Sequence, residues 1–79
     1  MGQLHAIGKI IIRVYANDHL PQHFHVKHPD FEALVEIETL AFYAGAIPAR
    51  YQRQVWAWIR ANRAVIRAEW NRINPRYPC

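Results

Sequence analysis

The spacing of apolar residues changes period once along this chain, at Pro48, and that change limits the fold to a sheet followed by helix. Before it the pattern is that of strands. Lys9-Ile10-Ile11-Ile12-Arg13-Val14-Tyr15 is β-branched and bounded by Gly8 and Asn17-Asp18. His23 to Lys27 alternates polar with apolar, beyond a loop that ends at Pro21. Pro29-Asp30 is a turn pair, and Phe31 to Glu38 alternates again. As a two-residue hairpin, this turn pairs His28 with Phe31, Lys27 with Glu32, His25 with Leu34 and His23 with Glu36. One sheet face then carries Phe24, Val26, Phe31, Ala33 and Val35, joined by Ile10, Ile12 and Val14. The other carries His23, His25, Lys27, Glu32, Leu34 and Glu36, joined by Ile11, Arg13 and Tyr15.

Pro48 suits a first helical turn, and residues 39–46 before it read as a loop around Gly45. From Pro48 to about Ile73, Tyr51, Val55, Trp58, Ile59, Val65, Ile66 and Ile73 share one face with Asn62 and Glu69. The two polar residues interrupt that face and leave open a kink or a split into two collinear helices. Pro75 and Pro78 end the pattern. The expected fold is α+β: a three-stranded antiparallel sheet, with strands near 9–16, 23–28 and 31–38, and a long C-terminal helix near 48–73 packed on one face.

Seventy-nine residues suffice for a single domain, 1–79, with no repeat or linker. A chain of this size buries only roughly 60–65% of its unfolded surface, so a partner subunit is an expected source of stability and a homo-oligomer is anticipated. One cysteine, Cys79, excludes an intramolecular disulfide. No apolar run approaches the ~20 residues of a membrane span, and the start lacks the layout of a signal peptide, so a cytoplasmic location is expected. The net charge of +4 is uneven. Through residue 49, Lys9, Arg13 and Lys27 face Asp18, Asp30, Glu32, Glu36 and Glu38, a net of −2. From residue 50 onward, Arg50, Arg53, Arg60, Arg63, Arg67, Arg72 and Arg76 face only Glu69, a net of +6. That asymmetry suggests RNA, DNA or an acidic protein as partner of the second half, against the plainer reading of a solvated helix.

Chemistry concentrates around His23. His23 and His25 lie two apart on a strand and project to one side. With His19 and Asp18 just before them they form a candidate set for a divalent metal, which would be zinc, nickel or iron. The competing structural role is bracing of the loop backbone. His23, His25, Glu36, Arg13 and Tyr15 also make a candidate catalytic set of base, acid and cation, as metal-independent ribonucleases use. Its plain alternative is an ordinary polar sheet face. His28 is expected on the other face or in the turn, and His5 has no assigned role.

The helix carries a stripe of Arg53, Trp56, Arg60, Arg63, Arg67 and Trp70 at steps of three and four. It lies roughly 130° from the apolar face at ~100° per residue. Arginine meets carboxylate or phosphate bidentately and tryptophan adds a stacking surface, so the stripe is a candidate site for a partner protein or nucleic acid. A homodimer built on exposed aromatics, Trp56 and Trp58 among them, is a third reading with no catalytic role for the histidines.

Tyr15-x-x-Asp18-His19-x-Pro21-x-His23-Phe24-His25-Val26, then Glu32-Ala33, the Pro48-led helix and Asn62-Arg63 followed by Trp70, resembles the bacterial domain-of-unknown-function 4160 family. The likeness runs from about residue 8 to 73. The usual form has Pro-Pro before the second histidine, and Gln22 stands here in place of the second proline. The resemblance implies a small stand-alone protein encoded beside another small protein, an arrangement like that of a toxin–antitoxin pair. It carries no defined catalytic residue. The function expected is therefore a binding component of such a pair, contacting a partner protein or nucleic acid through the Arg/Trp helix face. The alternative is a metal-dependent hydrolase or ribonuclease on the histidine face.

Overall fold

Backbone pairing begins earlier in the chain than the alternation does. The computed structural model describes residues 3–16 and 20–79. It contains β1 (Gln3–Ile7), β2 (Ile10–Arg13), β3 (His23–His28), β4 (Phe31–Glu36) and β5 (Phe42–Gly45), then α1 (Ala49–Ala61) and α2 (Arg63–Ile73). The strands form one antiparallel meander in the order β1-β2-β3-β4-β5. This corrects the three-stranded expectation at both edges. Gln3-Leu4-His5-Ala6-Ile7 folds back on β2 through a turn in which Gly8 has φ +58°. The stretch expected as a loop around Gly45 supplies β5, and Leu40, at φ +58°, closes the turn before it.

The central hairpin has the register that a two-residue Pro29-Asp30 turn requires: His28 opposite Phe31, Lys27 opposite Glu32, His25 opposite Leu34 and His23 opposite Glu36. Ile12 lies opposite Val26, which puts Ile10, Ile12, Val14, Phe24, Val26, Ala33 and Val35 in the core under the helices.

The expectation of one long helix is likewise corrected to two helices, the split left open at the polar interruption. They meet at Asn62, which has φ −123° and ψ 22°. Its side-chain amide donates to the Trp58 carbonyl at 3.0 Å, and its own N–H is shared between the Trp58 and Ile59 carbonyls. A side chain that competes for the backbone in this way interrupts the regular turn. The buried helical positions are Val55, Ile59, Ile66 and Trp70. Val65, expected inward, is 49% exposed, and Trp70, expected on the outer stripe, is fully buried. Beyond α2 the chain folds back: Trp70 Nε1 donates to the Tyr77 carbonyl at 2.7 Å, and Gln22 donates to the carbonyls of Tyr77 and Pro78. Gln22, where the family resemblance would put a proline, thereby ties the loop before β3 to this final segment. No helix among the described residues is long and apolar enough to cross a membrane.

Candidate interaction surface and the histidine face

Alternation along β3 separates the two histidines from Phe24 and Val26, but the two do not share one environment. His23 is fully buried. Its Nδ1–H donates to the Pro21 carbonyl at 2.7 Å, and its ring sits among those of His25, Tyr43 and Trp70 at centroid distances of 5.1, 5.5 and 5.9 Å. His25 Nδ1 meets Glu32 Oε2 at 3.0 Å, and the Tyr15 ring stands edge-on to it at 4.5 Å. Lys27 donates to the Tyr15 hydroxyl at 3.1 Å. The Arg13 guanidinium lies 5.8 Å from the centre of the Tyr15 ring. The Tyr15 hydroxyl bond, then the charges of Tyr15 and Glu32, hold the Lys27 ammonium above its ordinary range, against desolvation and Arg13.

Of the catalytic candidates, Arg13, Tyr15 and His25 thus come together on the outer sheet face. The buried His23 ring meets this group through His25, and Glu36 is the half-buried cross-strand partner of His23. Lys27 and Glu32 belong to this cluster as well, beyond the candidates that residue type alone singles out. Their signal was present in the register, which sets them opposite each other and Glu32 diagonal to His25. Of the metal candidates, Asp18 and His19 lie outside the described residues. Among the described residues no three of His, Cys, Asp and Glu gather where they could hold a metal ion. His28 stacks on Phe31 at 4.8 Å on the helix-covered side, and its Nδ1 accepts the Asp30 N–H at 3.1 Å. His5, given no role by the sequence, stacks on Trp58 at 4.7 Å.

The arginine stripe divides into a structural half and an open half. Arg63 donates through Nε to the Ile37 carbonyl at 3.0 Å and through its guanidinium to the Glu38 carbonyl. Arg67 pairs with the Glu38 carboxylate at 2.8 Å. Both arginines fasten α2 to the turn after β4, and Trp70 is core. On α1, Arg50, Arg53 and Arg60 are exposed, and no carboxylate among the described residues pairs with them. Half-buried Trp56 stands edge-on to Phe42 of β5 at 5.8 Å, and the Arg60 guanidinium lies 6.0 Å from the centre of the Trp56 ring. Arg50 lies 5.1 Å from the centre of the Tyr51 ring.

A five-stranded meander covered on one face by two helices, with a buried histidine at the start of its central strand and an arginine-rich first helix, defines the class of small α+β domain to which this chain belongs. The chain belongs to the family described as Domain of unknown function (DUF4160), whose sequence model matches residues 10–71. No curated protein and no solved structure matches it.

Proposed function

We propose that this protein is the binding component of a two-protein, toxin–antitoxin-like module and that it engages its partner protein through the outer face of α1. The observation that carries the reading is the set Arg50, Arg53 and Arg60, none paired with a carboxylate among the described residues, beside Trp56 and the exposed β5. Arginine and tryptophan next to apolar surface is the composition that dominates protein-interface energetics. Nucleic acid is the competing occupant of the same arginines. Co-expression with the product of the adjacent reading frame tests the proposal. Co-purification that is lost on replacing Arg53 and Arg60 by alanine supports it. Absence of co-purification, with RNA binding that weakens steeply as salt rises, would assign the arginines to phosphates.

A second reading rests on the outer sheet face. There His25 is oriented by Glu32 and the Tyr15 hydroxyl is polarised by Lys27, an acid–base arrangement suited to phosphodiester transfer. Under it, Tyr15→Phe abolishes RNA cleavage by the purified protein while leaving its melting temperature within a few degrees. Cleavage retained by Tyr15→Phe, or absent from the wild type, removes this reading.

A further inference from the structure

The two edges of the sheet are finished differently. At β1, Leu4 and Ile7 pack against the core and His5 stacks on Trp58. At β5 all four residues are exposed, Phe42 and Tyr43 by 42% and 41%. Residues 39–49 include no charged side chain, and no proline falls within β5. An edge strand presents a row of backbone N–H and C=O groups on the side away from its neighbour, and charges or proline are the usual means of discouraging another strand from pairing there. β5 carries neither. Its rim is instead continuous with the cations of α1, through Phe42 against Trp56 and Trp56 against Arg60.

Charge decides between the occupants. A second copy paired edge to edge would bring the same unpaired arginines alongside their equivalents, and like charges juxtaposed across an interface are costly. A nucleic acid would meet the arginines but leave the backbone and apolar surface of β5 unused. An extended segment with carboxylates satisfies both, its backbone completing the ladder and its acidic side chains answering the arginines. We infer that β5 accepts an extended acidic segment of the partner protein as a sixth strand, with carboxylates of that segment meeting Arg53 and Arg60. The inference rests on the partner-binding reading of α1 and specifies the partner's chemistry.

The test uses the isotope-labelled full chain and two acetylated probe peptides, one of alternating valine and glutamate and one of alternating valine and lysine. The acidic peptide should slow amide hydrogen exchange in Phe42–Gly45, and the basic one should not. Phe42 lies opposite core Val35 and against Trp56, on the side of α1. Phe42→Glu should weaken the acidic peptide about ten-fold more than Phe42→Lys does. Unchanged exchange in β5, or equal protection by both peptides, overturns the inference. So does protection that grows with protein concentration when no peptide is present, since that assigns the edge to a second copy. If the co-expressed partner is lost on replacing Arg53 and Arg60 while β5 exchange is unaffected by it, the partner reading stands and the sixth strand fails. If the partner is retained after both replacements, the reading beneath the inference fails as well.

Discussion

His23 and His25 are separated by one residue and do different work. His23 contributes a buried hydrogen bond to Pro21 and fills space beside Trp70. His23→Ala should therefore cost about 2–4 kcal/mol in urea unfolding, from lost packing and an unanswered carbonyl, whereas His25→Ala should cost under about 1 kcal/mol. Equal costs would contradict the division. That both histidines stand off the Phe24–Val26 face was legible from alternation alone. That one of them is buried was not, because Trp70 reaches it from a helix far along the chain. Cys79 offers a second test at this scale. Burial first, and the Glu38 carboxylate after it, push the thiol above its usual value of 9.0, against Arg67. The folded state thus favours the protonated thiol. Its contribution to stability is complete below pH 9.0 and is lost as pH rises through the higher folded value. At pH 9 iodoacetamide should alkylate Cys79 more slowly in native protein than in urea; equal rates would contradict the burial.

At the scale of elements, β2 followed from its β-branched run, and β3, β4 and the hairpin register from alternation and one turn pair. The strands that the sequence pattern does not reveal, β1 and β5, are edges, where half of the pairing and much of the burial that enforce alternation are missing. Gly45 shows what holds β5. Its φ is +70°, and a Cβ there would meet the Glu32 carbonyl of β4. At Gly8, also at positive φ, a Cβ would meet nothing within 4 Å. Both Gly→Ala replacements incur the left-handed penalty of roughly 1–2 kcal/mol, and Gly45→Ala adds a clash that displaces β5. Thermal unfolding should rank Gly45→Ala well below Gly8→Ala, and the reverse order would contradict the close approach. The helix stripe was legible as a row of arginines interrupted at Asn62 but not as two populations, because the carbonyls of Ile37 and Glu38 that engage Arg63 are contributed by tertiary structure. Arg63→Ala should cost about 1–2 kcal/mol, since two carbonyls lose a charged donor. Arg53→Ala should stay within about 0.5 kcal/mol of wild type.

Across the whole molecule, one helical layer covers one side of the sheet, and the other side keeps Arg13, Tyr15, His25, Lys27 and Glu32 in a connected polar cluster. Charge is divided in the same spirit. Arg63 and Arg67 fasten α2 to the turn after β4, Arg72 pairs with Glu69 within α2, and the arginines of α1 have no carboxylate among the described residues. A small core with no disulfide gains stability by mass action when a partner binds the folded state. The central claim, that the face of α1 beside β5 is the binding surface, is tested most directly by titrating the co-expressed partner into wild-type protein and the Arg53→Ala/Arg60→Ala double variant by calorimetry. The double variant should keep its melting temperature and lose partner affinity by at least about ten-fold. Affinity equal to wild type in a normally folded double variant would contradict the claim.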